Sequence, residues 1–240
     1  MRRDELRHLI RAACRVTGEQ HVIVMGSQAI LGSWKEIAAP DRVTMSNEAD
    51  IAFFADPDEL KADTVMGVLG LDSHFHETFG VYADGITADS PILAPGWETR
   101  RIPLVVEESD DTFIGWCLDP VDLSASKMAA GRPKDHEFVA ALVAAAMVNP
   151  DHVSAHLMNM EVHPDRLATA RGLLNSWRAE RWDAARTRQI ERQRQNSVSD
   201  LRRQCPFDAP PPIEFPPRCG QPIAGGHCRQ LRDQCLAHPT

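Results

Sequence analysis

A chain of 240 residues, 43% of them hydrophobic and 25% charged, can bury a sizeable core in one or two domains. No apolar run approaches the roughly 20 residues of a membrane-spanning helix, so the expectation is a cytoplasmic protein with no membrane partner. The net charge of −8 is uneven: residues 171–240 hold 12 Arg against 7 acidic residues, and the first 170 hold 14 basic against 27 acidic. Such an acidic body argues against broad, non-specific nucleic-acid binding, because phosphates need cations.

Leu6, Leu9, Ile10 and Ala13 recur at helical spacing and predict an amphipathic helix over 3–17, ended by Gly18. The apolar run 21–25 reads as a buried strand. Gln28 to Leu31, after Gly26-Ser27, fits the first turns of a helix with Ser27 as N-cap. A polar loop holding Pro40 and Asp41 leads to a second strand at 48–54. Asp56-Pro57-Asp58-Glu59 reads as a helix start, with Asp56 capping, Pro57 in the first position and Glu59 closing a capping box. Leu60, Val65 and Val68 are then expected to face the core.

Phe79 to Asp84, Ile102 to Val106 and Phe113 to Leu118 predict three more strands. Asp119-Pro120 repeats the cap-and-proline start and opens a helix through about Ala130. Gly131-Arg132 breaks it, and Pro133 begins another helix to about Met147. Residues 151–195 read as two further helices. In the last of them, Arg178, Arg181, Arg188, Arg192 and Arg194 alternate with Glu180, Asp183 and Glu191, the pattern of a solvated face. Trp177 and Trp182 read as packing residues.

This order implies an α+β fold: an N-terminal domain over 1–118, a helical domain over 119–204, a Pro-rich linker at 205–218 and a short tail at 219–240. Cys14 and Cys117 sit in apolar patterns and read as buried small residues. The other four cysteines lie in the last 36 residues. Cys219, Cys228, Cys235 and His238 there offer three thiolates and an imidazole, the donor set of a structural Zn²⁺ site, with Cys205 and His227 as substitutes. The alternative is a tail with incidental cysteines.

The chemistry centres on residues 21–54. Residues two apart on a strand share a face, so Glu48 and Asp50 present two carboxylates side by side. Carboxylates are the usual protein ligands of Mg²⁺, and Asp84, or next Glu107, is the candidate third acid at the end of a neighbouring strand. Gly26 admits close approach of a phosphate, and Ser27 can donate to one. The alternative is that Glu48 and Asp50 form the solvent face of an edge strand.

Gly26-Ser27, the Glu48-x-Asp50 pair and the segment Asp119-Pro-Val-Asp122 through Lys127, Arg132, Lys134 and Asp135 resemble the polymerase-beta-type nucleotidyltransferase superfamily. The nearest branch is the DUF6036 nucleotidyltransferases, related to the AbiEii abortive-infection toxins. The resemblance covers roughly 5–150. It implies a mixed β-sheet with flanking helices and a helical domain closing the cleft. It also implies a Mg²⁺-dependent transfer of a nucleoside monophosphate from an NTP to a hydroxyl acceptor.

By the same resemblance, Gly26, Ser27, Lys127 and Arg132 would bind the nucleotide, and Glu48, Asp50 and Asp84 the metal. Lys127 and Asp135 would support catalysis. The acceptor would be an RNA such as tRNA or a protein, and the toxin relatives imply a cognate antitoxin. The alternative is a catalytically degenerate module of the same fold that binds a nucleotide or a partner. Two departures stand out: the first metal position is Glu rather than Asp, and the gap from Ser27 to Glu48 is longer than the family pattern.

Overall fold

The computed structural model describes residues 1–34, 43 and 45–181. The core is a five-stranded mixed sheet in the order β3-β2-β1-β5-β4. The strands are β1 His21–Met25, β2 Glu48–Ala52, β3 Tyr82–Gly85, β4 Ile102–Glu107 and β5 Thr112–Cys117. β1 pairs antiparallel with β2 and parallel with β5, while β2 and β3 run parallel. β4 and β5 form an antiparallel pair. The parallel step from β2 to β3 needs a crossover. Two helices supply it, α3 at Leu60–Leu69 and α4 at His74–Phe79.

Strand register sorts the side chains into two faces. Val24, Ile51, Ala83 and Cys117 share one face. That face packs against α1 (Arg3–Thr17), the one-turn α2 (Ile30–Ser33) and α3. Leu6, Leu9, Ile10 and Ala13 of α1 are fully buried there, as the helical spacing predicts. Gly115 on this face leaves the space that the Ile10 side chain fills. Glu48, Asp50, Tyr82 and Asp84 occupy the opposite face.

Among the described residues, the helices after β5 are α6 Pro120–Ala130, α7 Pro133–Ala144, α8 Pro150–Leu157 and α9 Pro164–Arg181, with the short α5 (Trp97–Arg100) preceding β4. Asp119 caps α6 by accepting from Val121 N at 2.8 Å, with Pro120 in the first turn as predicted. Gly131 ends α6 in the left-handed region at φ +70°. α6 packs against α7, α8 and α9, and against α2 at the sheet. Cys14 and Cys117 are buried, and burial pushes both thiols up to about 12, so they are inert packing residues.

Several local expectations need correction. Phe79 closes α4 rather than opening a strand, and β3 begins only at Tyr82, because Ser73 caps a helix by accepting from His76 N at 3.1 Å. α3 starts at Leu60, not Pro57. Asp56 still caps it, accepting from Lys61 N and Ala62 N at 3.1 and 2.9 Å, but across a turn in which Glu59 is left-handed, so no capping box forms. The face packed on β3 and α1 is Ala62, Val65 and Leu69, while Leu60 and Val68 are exposed. Ser27 does not cap α2; it opens a 3₁₀ turn, Ser27–Ala29, with Gly26 before it.

β2 lies between β1 and β3, so Glu48 and Asp50 are not on an edge strand. α9 is described through Arg181, and the Arg-rich stretch from 182, Trp182, the Pro-rich linker and the Cys/His tail lie outside the described residues. Trp177 packs partly buried against the core, and Arg178 pairs with Asp151 at 2.8 Å.

Candidate active site

Glu48, Asp50 and Asp84 converge because β2 and β3 are in register, with Asp50 opposite Asp84 and Glu48 opposite Tyr82. One carboxylate oxygen from each lies within 4.8 Å of the other two. Opposed ligands of one octahedral Mg²⁺ are about 4.2 Å apart, so this spacing and the hard oxygen donors fit a small divalent cation. The electrostatics agree. Burial first, then the charges of Glu48 and Asp84, push the Asp50 carboxyl up to about 6, with Lys127 offsetting part of the effect. Asp84 is raised as well, by burial and by Glu48. The trio therefore carries negative charge that Lys127 only partly compensates and that a cation would relieve. Glu107, on β4 at the other edge of the sheet, pairs with Thr112 of β5 and is not part of the group.

Gly26 follows Met25, the residue paired with Asp50 across β1 and β2. Its backbone sits at φ +57° and ψ −163°, a region essentially reserved for glycine. A Cβ placed there would fall 1.6 Å from Asp50 Oδ2. Gly26→Ala is therefore expected to displace the Asp50 carboxylate and to weaken divalent-cation binding at least tenfold, about the effect of losing a supporting contact to a ligand. A cation titration by calorimetry that matched the wild type would refute this coupling. The β2 entry is fixed as well: Gln28 Nε2 donates to Ser46 O at 3.1 Å, and Glu48 N donates to Ser46 Oγ at 3.1 Å.

A cleft of about 760 Å³ opens beside Glu48 and Asp50. Gly26, Ser27 and Ser46 line it on the sheet side, and Lys127, Arg132, Lys134, Asp135 and Arg166 on the helical side. Asp135, 1% exposed, accepts from Lys127 Nζ at 3.0 Å and from Arg132 Nε at 2.5 Å. Burial alone would raise its carboxyl, but Arg132 and Lys127 outweigh burial and hold it below the usual carboxylate range. Lys127 also sits over the Phe138 ring at 4.6 Å. The last turn of α6 and the first turn of α7 thus present a pre-ordered basic group to the cleft.

Asp122, one and a half turns before Lys127, plays a different part. It is fully buried and accepts from Arg100 Nε and Nη2 at 2.8 Å each, with His156 Nδ1 2.9 Å from Oδ1. It ties α5, α6 and α8 together and lies outside the cleft lining.

The structure thus brings together Gly26, Ser27, Glu48, Asp50, Lys127, Arg132 and Asp135 around one cleft, with Asp84 joining through the carboxylate trio. Three participants escaped sequence reasoning. Arg166 comes from α9, far along the chain, and sits against Gly131. Tyr82 donates to Glu48 Oε2 at 3.0 Å. Phe138 underlies Lys127. Only Tyr82 had an available signal, since it stands two residues before Asp84 on one strand face.

A mixed sheet carrying clustered carboxylates opposite a basic helical wall defines a nucleotidyltransferase-like α+β domain. The chain belongs to the family described as "Nucleotidyltransferase of unknown function (DUF6036)", whose profile matches residues 4–179. No curated protein and no solved structure matches it significantly. Among the described residues, no helix is long and apolar enough to cross a membrane.

Proposed function

We propose that the protein is a Mg²⁺-dependent nucleotidyltransferase that moves a nucleoside monophosphate from an NTP to a hydroxyl acceptor. The observation that carries this reading is the trio Glu48, Asp50 and Asp84 beside a cleft whose far wall is basic. The trio would hold the metal, which in such sites lowers the pKa of the attacking hydroxyl and stabilises the leaving pyrophosphate. The remaining work falls to the chain itself. Gly26 lets the backbone come close to a phosphate, and Ser27 Oγ can donate to one. Asp135 orients Lys127 and Arg132, whose spare N–H groups can meet the triphosphate. Lys134 and Arg166 extend that wall. Ile86, Ile92 and Phe138 supply apolar surface for the base.

The acceptor is proposed from the family resemblance to be an RNA such as tRNA or a protein hydroxyl, and the partner a cognate antitoxin. The element order and the donor set of the tail carry two further proposals: domain limits at 118 and 204, and a Zn²⁺ site at Cys219, Cys228, Cys235 and His238. Incubation with each α-³²P-labelled NTP, Mg²⁺ and total cellular RNA is the direct test. Label on RNA or on the protein itself, reduced to background in Glu48→Ala, is the expected result. Transfer that survives in Glu48→Ala would remove the metal assignment. NTP binding without transfer would favour the degenerate binding module.

A further inference from the structure

We propose that Tyr82 is the positioning residue that orders Glu48 for cation binding, and that it allows a glutamate to stand in the trio; this rests on the metal-binding reading above. Tyr82 is the only tyrosine in the chain. It sits directly across the parallel β2–β3 ladder from Glu48, on the same sheet face, and its hydroxyl donates to Glu48 Oε2 at 3.0 Å. The phenol is itself held: the His76 ring meets it edge-on with centroids 5.0 Å apart.

The need for such a clamp follows from the side chain. Glutamate has one more rotatable bond than aspartate, so its carboxylate loses more freedom when it becomes a ligand. A metal site with tight octahedral demands tolerates that freedom poorly. The strand backbone fixes where Glu48 begins, with its N–H bonded to Ser46 Oγ, but nothing in the backbone fixes where the carboxylate ends. The Tyr82 hydroxyl does this by engaging Oε2, and the two carboxylate oxygens keep lone pairs enough to hold a cation as well. Register and residue type are therefore matched: the long acid lies opposite the tyrosine, and the short acid, Asp50, lies opposite another short acid, Asp84. An aspartate at 48 would be one C–C bond shorter, about 1.5 Å, and out of hydrogen-bond reach of Tyr82.

The test is a Mn²⁺ titration of the full chain followed by electron paramagnetic resonance. The proteins are the wild type, Tyr82→Phe, Glu48→Asp, the double variant and Asp50→Asn, each checked for fold by circular dichroism. Phenylalanine keeps the ring and its contact with His76, so only the hydroxyl is lost. Tyr82→Phe is expected to weaken Mn²⁺ binding about tenfold, the lower end for an outer-shell partner. In the Glu48→Asp background the same change is expected to add about twofold or less, because the hydrogen bond is already absent. Unchanged affinity in Tyr82→Phe, or an equal loss in both backgrounds, would overturn the proposal. Mn²⁺ binding that Asp50→Asn leaves intact is a separate failure, and it would remove the cation site itself.

Discussion

Asp50→Asn is expected to abolish nucleotidyl transfer and, at the same time, to make the metal-free protein more stable. Asp50 is largely enclosed beside two other acids, and its carboxyl is pushed up to about 6 from an ordinary value near 4. A folded-state pKa above the unfolded one means that the native state binds the proton more tightly. Stability therefore falls as pH rises from about 4 to about 6 and stays lower above that range. At pH 7.5 the neutral amide removes this cost, which amounts to about 1–3 kcal/mol once partial solvent access is allowed for. For a chain of this size that corresponds to a Tm higher by about 2–12 °C. Mg²⁺ should raise the Tm of the wild type and leave that of Asp50→Asn unmoved, as linkage to a site in the native state requires. Thermal scans across pH 4 to 8, with and without Mg²⁺, decide the matter. A variant less stable than the wild type at pH 7.5 would mean that the carboxylate is already neutralised by protein partners.

Asp122→Ala is expected to be the most destabilising single substitution near the cleft, at about 3 kcal/mol. Asp122 is fully buried, and its removal leaves the half-buried Arg100 guanidinium without its acid and His156 without its acceptor. Burial by itself would raise the Asp122 carboxyl, but the hydrogen bonds from Arg100 and His156 outweigh it and hold the group below the usual range. The sign is opposite to that of Asp50: this stabilisation is present above about pH 4 and is lost as pH falls through the depressed folded-state value. Urea unfolding at pH 7 should show the loss, and the difference from the wild type should shrink as the pH drops below 4. A double variant with Arg100→Ala should be less damaged than the sum of the two single changes, because the removed charges compensate each other. Strict additivity would mean that the Arg100–Asp122 pair contributes nothing as a pair.

These two acids show where sequence reading succeeds and where it stops. Asp50 was legible as a ligand candidate because the argument is local: a strand repeats every two residues, so Glu48 and Asp50 must share a face. Asp84 joins them only if its strand is the neighbour of β2, which strand periodicity does not decide. Asp122 stood inside the motif that suggested the family, yet its partners are 22 and 34 residues away, and no local pattern connects them.

The errors at α3 and α4 have the same origin. Asp56-Pro57 and Asp119-Pro120 are the same local signal. The first is followed by a turn with Glu59 at positive φ, and the second leads straight into a helix packed on three others. The apolar periodicity of α1, the Asp119-Pro120 helix start, the buried cysteines and the acid pair follow from interactions among residues a few positions apart, so the chain alone determines them. Strand order, the register of β2 against β3, the hydrogen bond from Tyr82 to Glu48 and the arrival of Arg166 at the cleft all depend on contacts between distant segments. Loop closure and burial against the whole core decide those contacts, and one-dimensional spacing does not contain them.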